Sequence, residues 1–508
     1  MTMLKKQWKV NIFFYADFNL AELLELAQSL RNVKCFCDST QKLFSGSFNW
    51  AIILTFADGV EWLFRAPRTH SGLDKETVRA ALTSEASTLK YIRLNSSIPV
   101  PEVHHYCAFE DNSIGIPFIL MRRAQGIPLS NYDWHPQQCE PISSKARRCS
   151  LKENEKQKIM KQLGIIMSQL SRPRFDKIGS LFEENGRFKV GPCLAPGLLL
   201  LDRHILQGIF RGPFENEGEY YRALLSAYFM HLRELTLEHH AFFAPVPVPM
   251  EYDCYSSYLA ATDRWNDFVG LGSKIETSPN RLDYFVAGLF LESIIPTLGG
   301  DLEESGSDQP DGFALYHADL SLSNIFIDEQ HNITCIIDWA FSFSAPSTIL
   351  LCTPSLPHPR DEWEPAMTSA FRSSFTGDGT MLYSTIWKRA RMVWLFMRLV
   401  NLDGLRDYHY FAELYTLCSS KPAEELFTGF WQLYTKCDVI NMRQVLSSND
   451  PSPTEIKRGE KEYFTNVGIE RQAVATKLNI CSVLNGSFVA DSRLWHWIEK
   501  AVNLKETL

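Results

Sequence analysis

The 508 residues suffice for two to four lobes or domains, and a composition of 45% hydrophobic and 22% charged residues excludes disorder, collagen and a disulfide scaffold. A formal net charge of −8 excludes a nucleic-acid binder, which needs a basic footprint to displace counterions from phosphates. The 12 cysteines include one close pair, Cys35 and Cys37, whose spacing matches neither a CxxC redox pattern nor a zinc knuckle, so reduced, buried thiols are expected.

In chain order, Leu20, Leu23, Leu24, Ala27 and Leu30 fall on one helical face, and Asn19 with Glu22 three residues on starts that helix like a capping box. Two strands follow between Lys42 and Arg68, Ala51–Phe56 and Val60–Arg65, joined at Asp58-Gly59, a pair that closes tight hairpins. In the second, Val60, Trp62 and Phe64 point one way, and Glu61, Leu63 and Arg65 the other. A helix over Lys75–Asn95 ends at Ile98-Pro99-Val100-Pro101. Val103–Phe109, which holds His104, His105 and Cys107, and Pro117–Met121 read as strands, and Met121–Leu129, with Gly126 and Pro128, as a hinge.

Beyond the hinge the pattern turns mainly helical, with helices expected over Glu153–Leu170, Tyr220–Leu235, Tyr252–Val269 and Leu282–Leu298. The polar stretch Gly299–Gly312 reads as a loop, followed by strands at Phe313–His317 and Ile333–Asp338. A helical bundle is expected after Pro359, including Met381–Asn401 and Leu494–Leu504. The expected parts are therefore a lead-in (1–41), a sheet-and-helix lobe (42–123), a larger lobe (124–358) and a helical remainder (359–508). No run of about 18 uninterrupted apolar residues occurs, and the apolar patch Ile12–Tyr15 is too short for a secretory segment. No membrane association and a cytoplasmic location are the default expectations.

The chemistry concentrates in Ala314–Trp339. Asp319 is followed five residues on by Asn324 and fourteen further on by Asp338, set between apolar strands. Phosphoryl transfer to a hydroxyl asks for a carboxylate to accept the hydroxyl proton, and for oxygen ligands to a magnesium ion that neutralises the triphosphate. Asp319 suits the first task, Asn324 and Asp338 the second, while His317 braces the loop by hydrogen bonds.

The segment His317-Ala-Asp319 to Asn324, an H-x-D-x-x-x-x-N pattern, and the strand end Ile337-Asp338-Trp339 resemble the aminoglycoside phosphotransferase and choline-kinase-like branch of the protein kinase fold, particularly its large fungal group. The resemblance spans Lys42 to Trp339. It implies a bilobal α+β fold, with a small antiparallel-sheet lobe and a larger, mainly helical one, that binds ATP and Mg2+. Phe44-Ser-Gly-Ser-Phe-Asn49 corresponds to the phosphate-covering loop, reduced to one glycine, so Ser45, Gly46, Ser47 and Asn49 are implied nucleotide contacts. Arg65 stands where the family has lysine and Glu85 is its expected partner; Met121, at the start of the hinge, completes the nucleotide set. Two further departures are Ala318 in the loop and Ala340 after Asp338-Trp339.

The implied activity is transfer of the ATP γ-phosphate to a small-molecule hydroxyl, with the helices around and after the catalytic loop building an acceptor pocket. An inactive nucleotide-binding scaffold is the alternative, and a protein kinase the third reading, disfavoured because no D-F-G and A-P-E pair is present. Nor does the chain contain G-x-S-x-G, a Walker-type phosphate loop or H-E-x-x-H.

Overall fold

The structure, a computed structural model, describes residues 12–68, 72–134, 150–237, 278–299, 312–356, 362–375, 384–402, 407–448 apart from 424, and scattered positions to 458. The helices expected over Tyr252–Val269 and Leu494–Leu504 lie outside the described residues, as does most of the Gly299–Gly312 loop. Two compact units emerge: 1–132 with 152–220 and 305–383, and 133–151 with 221–304 and 384–508.

The first unit opens with α1 (Leu20–Arg31), whose Asn19 cap accepts hydrogen bonds from the N–H groups of Ala21 and Glu22. Six antiparallel strands then build one sheet: β1 (Cys35–Phe36), β2 (Phe44–Ser45), β3 (Asn49–Phe56), β4 (Glu61–Pro67), β5 (Val103–Cys107) and β6 (Phe118–Arg122). The order is β1-β3-β4-β6-β5, with β2 also on β3. Gly59, at φ 82°, turns the β3–β4 hairpin.

Alternation along β4 sorts its side chains as expected. Trp62, Phe64 and Ala66 are buried with Trp50, Ile52, Leu54, Phe118 and Leu120 against Leu23 and Ala27 of α1. On the opposite face Leu63 packs with Ile119, Met121, Leu82 and Ala86, the last two from α2 (Lys75–Asn95). Asp74 caps α2 by accepting from the Thr77 N–H at 2.9 Å. His104 stacks on Trp62 at 3.7 Å, so this part of β5 is packing.

Past the sheet come β7 (Ile127–Pro128), a single helical turn at Leu129–Asn131 and, further along the chain, α3 (Glu153–Leu170). A hairpin, β8 (Leu181–Glu184) and β9 (Arg187–Val190), comes next, absent from the helical expectation for this stretch. Its turn is Asn185-Gly186, both at positive φ (52° and 74°), the pair a two-residue type I′ turn demands. A short helix α4 (Pro196–Leu199) follows.

The catalytic-loop region consists of β10 (Ala314–Tyr316), β11 (Ile325–Ile327), β12 (Ile333–Ile336) and β13 (Phe343–Ala345). β10 pairs with β13, and β11 lies between β12 and β7, so the hinge strand is bonded to the hairpin that carries the loop. From α3, Gln162 donates to the His331 carbonyl (2.9 Å) and accepts from the Ile333 N–H (2.9 Å), acting as a strand-like clip on the β11–β12 turn. Gln162→Ala is expected to cost about 1–3 kcal/mol in urea unfolding, because a backbone donor and acceptor lose their partner together. The short helix Ser347–Leu350 and the helix Pro365–Arg372 complete the described part of this unit.

Among the described residues the second unit is mainly helical: α5 (Glu217–Glu234, from Tyr221 onward), α6 (Ser278–Gly299) and further helices over Ser384–Asn401, Asp407–Ser419, Glu425–Tyr434 and Cys437–Ser448. Tyr228 donates to the Tyr284 carbonyl (2.7 Å), and the Tyr284 hydroxyl donates to Asp407 (2.5 Å). Asn280–Gly299 is long and apolar enough to cross a membrane by length and composition, yet 56% of that window is buried in the structure, as in a core helix.

Candidate active site

The loop after β10 is organised by the His317 imidazole. This ring is 1% exposed; its Nδ1 accepts from the Asp319 N–H at 3.1 Å, so its Nε2 carries the hydrogen and donates to the Ile337 carbonyl at 3.0 Å. The bond from the Asp319 N–H needs the neutral ring, and burial lowers its pKa to about 4 from the ordinary 6.5. Below pH 6.5 the unfolded chain therefore binds a proton that the folded chain refuses. The contribution is fully present above pH 6.5 and is lost as the pH falls to about 4. Between these limits His317 is expected to account for about 3 kcal/mol of lost stability in unfolding experiments, a slope that His317→Asn removes.

Asn324 is buried where the loop re-enters β11. Its amide nitrogen donates to both the carbonyl (2.9 Å) and the carboxylate (3.0 Å) of Asp319, and its own carbonyl accepts from the Ile337 N–H at 2.9 Å. The two loop ends and the residue preceding Asp338 are thereby joined. Asp319 itself is exposed. Asp338 follows β12 at φ 62°, a left-handed conformation that non-glycine residues seldom adopt and that concentrates at functional sites. Trp339 fixes this turn, being 1% exposed, donating from its indole to the Ile336 carbonyl (3.0 Å) and setting its ring against the edge of His317 (4.6 Å).

Opposite stands the ion pair of Arg65 on β4, partly buried, and Glu85 on α2, buried, with the Arg65 guanidinium also reaching the Asp338 carboxylate at 3.4 Å. The backbone of Trp339 adds a hydrogen bond to Glu85. Burial pushes the Glu85 carboxyl up despite Arg65. For Arg65, burial opposes the charge, but Glu85 and Asp338 together outweigh it and hold the guanidinium protonated.

Arg65, Glu85 and Asn49 line a cleft of about 430 Å³, counting space open to solvent, together with Phe48, Ile119, Ala340 and Phe341. Ser45, Gly46 and Ser47 lie on the exposed loop beside it and are not among the lining residues. The Gly46 N–H donates to the Asn49 carbonyl (2.9 Å), closing the turn, and Arg68 donates to the Gly46 carbonyl at 3.0 Å. Met121 is buried between sheet and α2 rather than lining the cleft.

Sequence reasoning passes over Arg68, and also Phe48, whose ring meets Phe341 at 5.5 Å. The signal for Phe48 is its place in the loop; Arg68 carries none. For magnesium, Asn324 and Asp338 offer the amide and carboxylate oxygens that this hard cation takes, and two such ligands suffice when water and phosphate complete the shell. Among the described residues no group of three or more His, Cys, Asp or Glu is placed to hold a metal ion.

No family model matches the chain. A subtelomeric hrmA-associated cluster protein of Aspergillus fumigatus is 30% identical over 149 residues, which is 29% of this chain and 26% of that protein. The mitochondrial altered inheritance of mitochondria protein 9 of Candida glabrata is 28% identical over 116 residues, 22% of this chain and 18% of that protein. The matched segments thus span only 26% and 18% of these relatives' own length. Among solved structures, macrolide 2'-phosphotransferase type I aligns over 81% of this chain and 96% of its own, with a TM-score of 0.37 at 13% identity. A fructosamine-3-kinase from Thermobifida fusca covers 79% and 99% with a TM-score of 0.38 at 13% identity. An aminoglycoside phosphotransferase with ADP bound covers 82% and 97% with a TM-score of 0.37 at 10% identity. In the order of its elements the chain is α+β, an antiparallel sheet followed mainly by helices, and one unit groups Arg65, Glu85, Asp338 and the Asp319–Asn324 loop.

Proposed function

We propose that this chain transfers the γ-phosphoryl group of ATP to a hydroxyl of a small molecule. The observation that carries this reading is the convergence, within one compact unit, of the buried Arg65–Glu85 pair on Asp338, with Asn324 tying Asp319 to the same strand end. Asp319 accepts the hydroxyl proton as the oxygen bonds to the γ-phosphorus; the bond from phosphorus to the β–γ bridging oxygen breaks, and ADP leaves with that electron pair. Arg65, pinned by Glu85, offers its fork to phosphate oxygens. Asn324 and Asp338 would hold a magnesium ion, which supplies charge neutralisation of the triphosphate. His317 keeps the loop in shape and, being neutral, adds no competing charge.

A second reading, nucleotide binding without turnover, is favoured by one feature: the only glycine of the phosphate-covering loop spends its N–H on closing its own turn. Calorimetric titration with ATP, with and without magnesium, is to be combined with ATP consumption against a panel of hydroxylated metabolites, amino sugars and amino alcohols. Magnesium-dependent binding with acceptor-dependent consumption is expected. Binding without consumption across a broad panel selects the second reading, and a folded sample that binds no nucleotide refutes both.

A further inference from the structure

We propose that the β8–β9 hairpin is a built-in latch that holds α2 so that Glu85 stays on Arg65, making the hairpin a positioning element for the nucleotide phosphates. The nucleotide part of this proposal rests on the phosphotransfer reading; the latch itself rests on geometry.

Helical spacing puts Ser87, Lys90 and Tyr91 on the side of α2 away from Glu85. Each of the three meets the hairpin or the strand next to it. The Ser87 hydroxyl, fully buried, donates to the Thr83 carbonyl (2.8 Å) and accepts from the Glu183 N–H (3.0 Å), so a backbone donor of β8 is satisfied by the helix. The Glu183 carboxylate takes the Lys90 ammonium at 2.8 Å in a half-buried pair. Phe188 of β9 sets its ring edge-on to Tyr91 at 5.2 Å, and Phe175 packs on the same tyrosine at 5.3 Å.

The hairpin is as firmly held at its foot. The Ser180 hydroxyl, also fully buried, donates to the Ser342 carbonyl (2.9 Å) and accepts from the Leu194 N–H (3.0 Å). Gly179 exchanges backbone hydrogen bonds with Ser344 on β13 (3.3 and 2.8 Å). Gly191, at the base of β9, lets the Phe182 ring lie where a Cβ would sit 2.7 Å from it. Phe182 in turn packs against the buried cluster formed by Ala81 of α2 with Leu194, Leu199 and Phe341.

The contacts close a circuit. From Asp338 and Trp339 the chain runs to Ser342, across to Ser180, up β8 to Ser87, through α2 to Glu85, and back through Arg65 to Asp338. A helix that carries one half of a buried ion pair is free to swing only if its far face is loose. Here that face is bonded to a hairpin whose foot is tied to the strand following the candidate metal ligand. The ion pair is thereby kept assembled by non-covalent contacts within the chain, with no partner needed to push α2 inward.

The test uses the full chain with Lys90→Glu, Glu183→Lys, the two combined, and Phe188→Ala. Amide hydrogen exchange of α2 and the dissociation constant for magnesium–ATP are measured beside the melting temperature. Each single substitution is expected to speed exchange across residues 83–91 and to weaken magnesium–ATP about five- to tenfold, the scale of one partly buried ion pair; the charge swap restores both. Phe188→Ala, which leaves every hydrogen bond of the latch in place, should act in the same direction. Faster exchange with unchanged nucleotide affinity overturns the positioning role, and unchanged exchange in all variants overturns the latch. If the parent protein binds no magnesium–ATP, the phosphotransfer reading fails, and the latch is decided by the exchange rates of the single variants against the swap.

Discussion

Asp319→Ala is expected to reduce acceptor-dependent ATP consumption by about 10²–10⁴-fold, the usual worth of a positioned general base, while magnesium–ATP still binds. The separation follows from the site: Arg65 and Glu85 hold each other, and Asp338 sits on a turn locked by Trp339, none of which depends on the Asp319 carboxylate. Asp338→Ala is the contrasting variant, because it deletes a candidate metal ligand and the second anion facing Arg65, and so lowers magnesium–ATP affinity as well as turnover. Single-turnover rates and calorimetry on the two variants distinguish the roles. Equal loss of binding in both would show that Asp319 acts on the nucleotide rather than on the acceptor.

Gly126→Ala is expected to destabilise the first unit by about 3–5 kcal/mol, enough to remove much of the 5–15 kcal/mol typical of a domain. Gly126 has φ 96°, where a side chain is strained, and its Cβ would fall 2.6 Å from the Ile327 carbonyl oxygen and closer still to the Thr334 hydroxyl. Neither obstacle can retreat cheaply. Ile327 is paired with Ile127 in the β7–β11 ladder, and the Thr334 hydroxyl donates to the Gln125 carbonyl at 2.6 Å. Thermal melting read alongside exchange at β7, β11 and β12 checks this; a melting temperature within a degree or two of the parent would mean that the hinge strand yields without cost.

Long periodic elements were legible in the amino-acid order. The helices at Lys75–Asn95 and Glu153–Leu170 have the expected bounds, because the Ile98–Pro101 segment punctuates one and an apolar stripe marks the other. The alternation Trp62, Phe64 against Leu63, Arg65 placed the cation on the α2 face, and Glu85 proved to be its partner. Strands of two or three residues, such as β1, β2, β7 and β13, carry too few positions to show a period and exist through their neighbours. The β8–β9 hairpin is different: Asn185-Gly186 between Leu181–Glu184 and Arg187–Val190 announced it, and the surrounding helical pattern hid it. In the site, the loop from His317 to Asn324 was readable from spacing. The ties Ser180–Ser342 and Gln162–Ile333 join residues about 160 to 170 apart along the chain, and no local pattern specifies such partners.

Because β4 is flanked by β3 and β6 and covered on both sides, its alignment is guarded by charge as well as by shape. Sliding it by one position would drive the Arg65 guanidinium among Trp50, Phe18 and Phe118 and leave Phe64 facing a lone Glu85 carboxylate. A misaligned chain therefore loses two solvation contests at once. The Arg65–Glu85 pair thus also proofreads the strand during folding.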